Sequence, residues 1–395
     1  MAITEIKPKI YAVGAKDYDR RLFDQLIPLP NGTTYNAYLI IGSEKTALID
    51  TVDGTKFYEL LHNLEQAPGK TIDYLISNHS EQDHSEGLVK MLELYPKAKV
   101  VTSSLGKEHL MVHLHIPEDR FLVREDGETL SLGDKTLEIV TIPWVHWPET
   151  IATYVKEDKI IFTCDMFGTH LAQSETFVVD KPLTYSSAKR YFAEIMMPFR
   201  KIIVKNLKKL EKYDFDMIAP SHGPVHQEPE FIINAYKEWI SDDVKNEVVL
   251  PFISMHHSVQ EMVEYFIEKL VEKGITVKPY NLAVTDIGEL AMDLVDAATI
   301  VIGAPAVLTG AHPLAIYATY LVNALRPKAK FASIIGSYGW KAKLKEQLVG
   351  ILTRIHPEFI EPVIMRGKLT DEGRKKLDEL ANAIYQKHKE LGITK

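Results

Sequence analysis

The sequence predicts an α/β protein with two consecutive domains, a layered sandwich of strands and helices followed by a doubly wound parallel sheet. The chain has 395 residues, which is long for a single hydrophobic core. Short β-type runs separated by polar turns fill the first part of the chain, whereas strands and helices alternate from Glu247 onward. We place the boundary between residues 245 and 246, giving domains 1–245 and 246–395, with the polar stretch "ISDDVKNE" as the linker.

The first domain carries the β-branched and aromatic runs that are typical of strands. The polar turns "GSEK" and "KEDK" separate some of these runs, which indicates hairpins and meanders rather than crossovers. We expect helices at 56–64, 87–94 and 188–212. The predicted strands lie in "TYNAYLII", "KTALIDTV", "IDYLISN", "KVVTS", "KTLEIVTIP", "IATYVKEDKIIFTCD" and "DMIAPS".

The second domain begins with the continuous apolar strand "EVVLPFIS", followed by an amphipathic helix at 258–273. A final helix is expected after Thr370, which is suited to be its N-cap because acidic residues follow in the first turn. About five alternations of strand and helix are typical of a doubly wound parallel sheet. The remaining strands are predicted in "TVKPYNL", "ATIVIGAP", "KFASIIGS" and "FIEPVIMRG".

Composition excludes several classes of protein. The chain is 46% hydrophobic and 25% charged, as in an ordinary globular protein, and its formal net charge of -8 disfavours nucleic-acid binding. No apolar run is long enough for a membrane span, and the N-terminal residues lack a signal pattern, so we expect a cytoplasmic protein. The single cysteine, Cys164, excludes an internal disulfide and a cysteine-rich metal module.

A cluster of metal-ligand side chains follows the predicted strand "IDYLISN". Residues at alternate positions cannot share one helix face, so this cluster suits an irregular loop after the strand. Three more ligand-type residues lie where later apolar strands give way to polar turns, and all could converge on one rim of the sandwich. The cluster is His79, Glu81, Asp83 and His84, and the later residues are His146, Asp165 and His222.

These imidazoles and carboxylates favour zinc, iron or manganese, because the cluster contains no thiolate. The carboxylate of Glu81 makes the site more anionic. It balances the charge of a metal that cycles between ferrous and ferric states, whereas hydrolytic zinc keeps its charge. Asp165 could bridge two ions, leaving room for a small diatomic molecule between them. Glu81 therefore indicates redox iron.

The first domain resembles the metallo-β-lactamase superfamily, whose motif is His-x-His-x-Asp-His followed by distant His, Asp and His. Glutamate at the second position is similar to the flavodiiron proteins, or A-type flavoproteins, and the resemblance covers essentially the whole chain. It implies an αββα metallo-β-lactamase-like sandwich followed by a flavodoxin-like doubly wound sheet. It further implies that one iron binds His79, Glu81 and His146. The other would bind Asp83, His84 and His222, with Asp165 bridging.

Three positions need comment within that resemblance. Members of the family differ in whether the side chain at the His84 position reaches the metal. His226 is the alternative to His222, although "SHG" at a strand end fits the superfamily pattern better. Tyr191 and His170 match segments near the irons, and each is equally well explained as a core tyrosine and a surface histidine. We therefore leave both outside the ligand set.

The resemblance also implies an FMN site on three loops beyond the carboxyl ends of the second domain's strands. The first loop would wrap the phosphate at a helix N-terminus, and the other two would enclose the isoalloxazine, with Tyr338 or Trp340 stacking. The residues concerned are Ser254, Met255, His256, His257, Ser258 and Val259; Pro305, Ala306, Val307, Leu308, Thr309 and Gly310; and Ser337, Tyr338, Gly339 and Trp340.

The phosphate loop departs from the family pattern Ser-Met-x-Gly-Ser/Thr-Thr. His257 stands where the family has glycine, and Val259 replaces a hydroxyl residue. The second change removes a charge-assisted hydrogen bond to phosphate, worth about 1.5–3 kcal/mol. Either imidazole, of His256 or His257, could compensate in part. The alternative is a flavodoxin-like fold that has lost its cofactor.

The function implied is reduction of dioxygen to water, of nitric oxide to nitrous oxide, or both, at a di-iron centre supplied by FMN. The resemblance implies a head-to-tail homodimer, or a dimer of dimers, in which each flavin faces the partner's irons. Because Cys164 is alone, electrons must come from a separate donor, a rubredoxin or a reduced deazaflavin. The alternatives are a dinuclear zinc hydrolase with a non-catalytic second domain and an inactive scaffold.

Overall fold

The computed structural model describes residues 3–69 and 71–394. The chain divides into two compact units. The first unit comprises the described residues up to Tyr191 together with Phe199–Ile240, and the second comprises Phe192–Pro198 together with the described residues from Ser241 onward. Within the described ranges, no helix combines the length and apolar character needed to cross a membrane.

The first unit contains sixteen strands and seven α-helices among its described residues. The strands are β1 Thr4–Lys7, β2 Ile10–Ala12, β3 Ala15–Asp17, β4 Leu22–Phe23, β5 Ile27–Pro28, β6 Thr33–Tyr35, β7 Tyr38–Ile41, β8 Thr46–Ile49, β9 Tyr74–Ile76, β10 Lys99–Thr102, β11 Phe121–Val123, β12 Thr129–Ser131, β13 Thr136–Thr141, β14 Ile151–Val155, β15 Ile160–Cys164 and β16 Met217–Pro220. The helices are α1 Phe57–Gln66, α2 Gln82–Ser85, α3 Gly87–Leu94, α4 Ser104–Leu114, α5 Lys181–Tyr191, α6 Arg200–Leu210 and α7 Pro229–Ile240.

Two sheets form the middle layers of this unit. The first has the order β1-β2-β7-β8-β9-β10-β11, and the second has the order β12-β13-β14-β15-β16. The turns "GSEK" and "KEDK" do connect antiparallel pairs, β7 with β8 and β14 with β15. Strands β1, β2 and β7 are also antiparallel neighbours, but the expectation of hairpins instead of crossovers is wrong for β8 to β11 of the first sheet. There β8, β9, β10 and β11 run parallel, so each connection between them is a helical crossover.

Side chains of successive residues in the strands of the first sheet pack on opposite faces, and both faces are buried. Leu39 and Leu48 belong to a core shared with α1, α3 and α4. Their neighbours Ile40, Ala47 and Ile49 belong to a second core, shared with residues of β13–β16. Because successive strand residues point to opposite faces, a strand covered on both sides is apolar throughout. This arrangement holds the carboxyl ends of the strands in fixed positions.

The single helix expected at 188–212 is interrupted in the structure. Helix α5 ends at Tyr191, a π-helical turn covers Phe192–Met196, a 3-10 turn covers Met197–Phe199, and α6 follows. Pro198 lies inside the interruption. Proline has no N–H to donate and its ring disfavours the helical conformation of the residue before it, so a continuous helix is broken here.

The second unit has seven strands and five α-helices among its described residues. Its sheet has the order β18-β17-β19-β21-β22, with β23 also pairing with β21. In order along the chain, this is the 2-1-3-4-5 arrangement of a flavodoxin-like sheet. The strands are β17 Lys245–Phe252, β18 Thr276–Asn281, β19 Ala297–Val307, β20 Gly310–Ala311, β21 Phe331–Tyr338, β22 Glu358–Phe359 and β23 Val363–Arg366. The helices are α8 Ser258–Val271, α9 Ile287–Leu294, α10 Pro313–Leu325, α11 Leu344–Ile351 and α12 Asp371–Glu390.

Helices cover both faces of this sheet. Val248 and Leu250 pack in one core with residues of α8 and α12, while α9 and α10 contact β17 and β19 from the opposite face. Thr370 caps α12 as predicted, since its side chain accepts a hydrogen bond from the Gly373 N–H at 3.1 Å. The strand predicted in "FIEPVIMRG" is split into β22 and β23, because Pro362 between them has no N–H for the ladder.

Candidate metal centre and flavin loops

The first four ligand-type residues follow β9, at the carboxyl end of a parallel strand. His79 and Glu81 lie on an irregular loop, and Asp83 and His84 lie in the short helix α2. The loop lets alternate residues face one point, which a regular helix would prevent. His79, Asp83 and His84 are buried, and Glu81 is nearly so.

The other three residues come from the ends of later strands. His146 lies on the loop after β13, Asp165 directly follows β15, and His222 lies two residues beyond β16. Gly223 after it has φ +77°, and a Cβ there would lie 2.6 Å from the backbone oxygen of Thr169. Glycine is therefore required in the "SHG" turn, which helps to place His222.

A buried carboxylate ties two of these loops together. Asp50 accepts a hydrogen bond from the Asn78 N–H at 2.7 Å and another from the Ser221 hydroxyl at 3.2 Å. Asn78 precedes His79, and Ser221 precedes His222. Burial raises the pKa of Asp50 to about 6, although the neighbouring His84 and these hydrogen bonds oppose that rise. Asp50 thus fixes the approach of the two histidines to each other.

One group of ligand atoms gathers around Glu81. Glu81 Oε2 lies 3.2 Å from His79 Nε2 and 3.0 Å from His146 Nε2. Asp165 Oδ2 lies 3.5 Å from His79 Nε2 and 3.6 Å from His146 Nε2. These four residues offer ligand atoms that all lie within 4.8 Å of one another. The group has the size and donor set of a site for one metal ion.

A second group gathers around Asp83. Asp83 Oδ2 lies 3.3 Å from His84 Nε2 and 3.1 Å from His222 Nε2. Here the other oxygen of the bridging candidate takes part, because Asp165 Oδ1 lies 3.1 Å from His84 Nε2 and 3.6 Å from His222 Nε2. One carboxylate therefore presents one oxygen to each group. The side chain of His84 is directed into the site.

Unpaired polar atoms at this position fit a metal-binding role. Within the described residues, several buried side-chain atoms of the two groups have no hydrogen-bond partner. They are both oxygens of Asp83, Oδ2 of Asp165 and both ring nitrogens of His84. Native proteins rarely leave such atoms unsatisfied unless an ion or water completes them. The donor set and its geometry fit two metal ions.

The charges of the site are those of a cation-binding cluster. Burial alone would raise the pKa of Glu81, but the imidazoles of His146 and His79 outweigh burial and hold that pKa below its ordinary value. Burial likewise opposes ionisation of Asp165, and His84 beside it keeps its pKa well below the usual range. Both carboxylates therefore remain ionised despite their burial, as metal ligands must.

Two histidines of the site have fixed ring orientations. His79 Nδ1 lies 2.7 Å from Glu149 Oε1, which also accepts hydrogen bonds from the Ser80 N–H at 3.0 Å and hydroxyl at 2.5 Å. His222 Nδ1 lies 2.6 Å from the backbone oxygen of Thr34. Each Nδ1–H donates outward, so each Nε2 is left to face the metal position. Sequence reasoning missed Glu149, although it lies three residues after His146.

Tyr191 and His170 both reach the cluster. The Tyr191 hydroxyl donates to Asp165 Oδ1 at 2.9 Å. The His170 ring lies 4.8 Å from that of Tyr191 and 4.9 Å from that of His222, and its Nδ1 lies 2.8 Å from Thr33 Oγ1. Reading His170 as a surface histidine is wrong, because the side chain is buried.

Two other residues of ligand type lie nearby. His226 is outside both groups, with its Nε2 at 3.3 Å from the backbone oxygen of Phe167. Cys164 lies within ligand distance of His84 and Asp165. Burial raises the pKa of the Cys164 thiol well above its ordinary value, so the thiol stays protonated and is a poor metal ligand.

The three predicted flavin loops of the second unit follow adjacent strands. Strands β17, β19 and β21 are parallel neighbours, so their carboxyl ends share one edge of the sheet. This is where a doubly wound sheet binds its ligand. The structure places Ser254–Ser258 on the loop before and at the start of α8, Val259 within α8, Pro305–Val307 at the end of β19, Leu308 and Thr309 in a turn, Gly310 in β20, Ser337 and Tyr338 at the end of β21, and Gly339 and Trp340 in the bend after it.

The structure shows the surroundings of the two residues, His257 and Val259, at which the phosphate loop departs from the family pattern. His256 and His257 have φ of 54° and 64°, a left-handed conformation that glycine would adopt at lower cost. Ser254 Oγ accepts a hydrogen bond from the Gln260 N–H at 3.0 Å. The side chain of Val259, which stands where the family has a hydroxyl residue, is buried in the core with α12. Only its backbone could face a ligand.

The other two loops present apolar side chains to solvent. Leu308 and Thr309, with φ of 49° and 76°, form the two-residue turn between β19 and β20. Leu308 is 85% exposed and Trp340 is 74% exposed, whereas Tyr338 is half-buried. Trp340 is therefore the better placed of the two aromatic residues to cover a planar ligand.

The fold and the double ligand group define a metallo-β-lactamase-like domain combined with a flavodoxin-like domain. A family model described as "ODP family beta lactamase" matches residues 33–223. The rubredoxin-oxygen oxidoreductase of Megalodesulfovibrio gigas is 30% identical over 97% of this chain and 98% of its own. The nitric oxide reductase of Moorella thermoacetica is 34% identical over 84% of each chain. An oxidase of reduced coenzyme F420 from Methanothermobacter marburgensis is 31% identical over 88% of this chain and 90% of its own.

Solved structures agree with these relatives. The rubredoxin oxygen:oxidoreductase of Desulfovibrio gigas superposes with a TM-score of 0.95 at 29% identity, covering 98% of each chain. The flavodiiron protein of Giardia intestinalis shares the fold, with a TM-score of 0.88 at 24% identity over 98% of each chain. The chain belongs to the flavodiiron protein family, and it is an oxidoreductase. The expected resemblance and fold class are confirmed, and the hydrolase alternative is set aside. Membership of this family implies a flavin and a di-iron centre.

Proposed function

We propose that this chain reduces dioxygen to water, nitric oxide to nitrous oxide, or both, at a di-iron centre supplied with electrons by FMN. The observation that carries the proposal is the position of Asp165, whose two oxygens face two separate groups of ligand atoms. A carboxylate in that position suits two metal ions close enough to act on one diatomic molecule.

The ligand assignment follows the two groups. One iron would be held by His79, Glu81 and His146, the other by Asp83, His84 and His222, and each would share Asp165. Glu81 supports iron over zinc in this proposal, because its negative charge favours a metal that alternates between two oxidation states. When bound, the irons and the flavin supply the electrons, four for each dioxygen reduced to two waters.

The protein's own residues prepare the site. The buried carboxylates stay ionised without metal, and so offset the positive charge of incoming ions. Glu149 and the backbone of Thr34 orient two histidines, and the Tyr191 hydroxyl orients Asp165. Because these bonds exist before any ligand arrives, little reorganisation is needed when metal binds.

We further propose that FMN binds the loops 254–260, 304–313 and 336–341 of the second unit. The N-terminus of α8 would receive the phosphate, and Trp340 would cover the ring system. The donor would be a rubredoxin or a reduced deazaflavin, which the names of two relatives suggest. A head-to-tail homodimer, or a dimer of dimers, and a cytoplasmic location stay predictions.

The test is purification without oxygen, followed by analysis of iron, zinc and flavin and by separate addition of dioxygen and nitric oxide to the reduced protein. Two irons and one FMN for each chain, with rapid reoxidation by at least one gas, would support the proposal. A protein that holds zinc, lacks flavin and reacts with neither gas would contradict it.

A further inference from the structure

We propose that His109 is a positioning residue for the metal centre, acting on His79 through Glu149. The inference rests on the proposed function, because His79 must be a metal ligand for its orientation to matter. His109 lies on α4, outside both ligand groups. Its effect on the metal would be transmitted through two contacts, a buried one between Glu149 and His79 and a half-buried one between His109 and Glu149.

The first contact fixes His79. Glu149 Oε1 receives three groups at once, which are His79 Nδ1 and the backbone and hydroxyl of Ser80. A carboxylate bound to the Nδ1–H of a metal-ligating histidine fixes the ring and makes its other nitrogen a stronger donor to the metal. Glu149 is well placed for this role because it is buried and these three groups converge on one of its oxygens.

The second contact lies between Glu149 and His109. The other oxygen of Glu149, Oε2, is buried without a hydrogen bond to any described residue and lies 3.4 Å from His109 Nδ1. His109 Nδ1 is also 3.2 Å from Ser80 Oγ, whose hydroxyl donates to Glu149 Oε1. A proton on Nδ1 of His109 therefore favours one orientation of both Ser80 and Glu149. Without His109, Oε2 loses the imidazole that lies beside it.

Helix α4 holds His109 in register with this carboxylate. Ser103, the N-cap of α4, accepts from the Gly106 N–H at 3.1 Å and donates to the backbone oxygen of Glu149 at 3.2 Å. The same helix thus binds Glu149 through its backbone and through its side chain. Trp147 closes the arrangement, because its ring packs edge-on against both His79 at 5.0 Å and His109 at 6.0 Å.

The experiment compares metal affinity in the full-length chain by chelator competition with iron(II) under anaerobic conditions. Glu149→Gln keeps the size of the side chain and removes its charge, so we expect affinity to fall about 10- to 100-fold. His109→Ala should weaken iron binding in the same direction by a smaller factor. The double variant should match Glu149→Gln alone, because His109 acts only through Glu149.

The matched control is His113→Ala, one helical turn further along α4. His113 contacts the rings of His109 and Trp147, whereas the group facing Glu149 is His109. Its iron affinity should equal that of the wild type. The reduction potential of the iron centre provides a second measurement, since loss of the anionic partner should raise it in Glu149→Gln, whereas a purely structural role would leave it unchanged. Thermal unfolding checks that each variant folds. If Glu149→Gln does not fold, the iron affinity of His109→Ala alone tests the inference.

Unchanged iron affinity in His109→Ala would overturn the inference, and so would full additivity of the two losses in the double variant. Failure of the proposed function gives a different result, a wild-type protein that binds zinc and reduces neither gas. In that case the cobalt(II) affinity of the same variants is measured by competition. Equal cobalt affinity in all of them would contradict the positioning role of His109 and Glu149.

Discussion

Tyr191→Phe removes the hydroxyl that orients the shared carboxylate. The bond to Asp165 Oδ1 is 2.9 Å long and both side chains are buried, so it is a charge-assisted hydrogen bond shielded from water. Such a bond contributes about 1.5–3 kcal/mol, and 1.4 kcal/mol corresponds to about a factor of ten. Because the same bond is also lost from the metal-free protein, only part of this energy is expressed in metal affinity. We expect iron binding to weaken about tenfold.

Tyr35→Phe is the matched control for this change. Tyr35 is fully buried, its ring lies 5.9 Å from that of His222, and its hydroxyl has no hydrogen-bond partner among the described residues. Removing a buried hydroxyl that makes no bond should leave affinity within about twofold of the wild type. Chelator competition with iron(II) measures both variants. Equal affinity in Tyr191→Phe and wild type, or an equal loss in Tyr35→Phe, would refute the reasoning.

Three further predictions concern the metal, the flavin and acid stability. Glu81→His should shift the metal bound toward zinc and abolish gas reduction; metal analysis and gas consumption measure this, and retained oxygen consumption would show that the role given to Glu81 is wrong. Trp340→Ala should weaken FMN binding about two- to tenfold, because an aromatic pair contributes about 0.5–1.5 kcal/mol; a flavin fluorescence titration measures it, and unchanged affinity would exclude stacking by Trp340. His388 is buried between Thr299 Oγ1 and Asn246 Oδ1, each 2.7 Å from a ring nitrogen, and burial lowers its pKa to about 4. The unfolded chain, with an ordinary histidine pKa near about 6.5, therefore binds a proton that the folded chain does not, and stability should fall as pH drops from about 6.5 to 4. Melting temperatures across that range should fall less steeply in His388→Gln, and equal slopes would contradict the assignment.

The metal ligands could be found in the sequence because their signal is local. His79, Glu81, Asp83 and His84 lie within six positions at the end of an apolar run, and the remaining three follow strands of similar character. Strand ends that meet at one edge bring such residues together, whatever the details of the loops. The fold class was predictable for the same reason, since periodicity and alternation are properties of short stretches.

The features that could not be predicted from the sequence depend on contacts between distant parts of the chain. Glu149 looks like an ordinary surface acid until the fold brings it to His79, seventy positions away. Val259 was placed in the phosphate loop by the family pattern, and the sequence did not show that its side chain packs in the core behind α8. The parallel crossovers of the first sheet were missed because the residue pattern of a strand does not show in which direction its neighbour runs.

The segment Phe192–Pro198 has a practical consequence for anyone who divides this protein. It belongs to the second compact unit although it precedes that unit's remaining residues by more than forty positions, and it packs against α9 and α10. A fragment that starts at Ser241 would therefore lose seven residues and uncover apolar surface on those two helices. We expect such a truncated product to aggregate on expression, whereas cutting the chain only in exposed loops would spare both cores. The second unit can be expressed by itself only if the segment Phe192–Pro198 is kept with it.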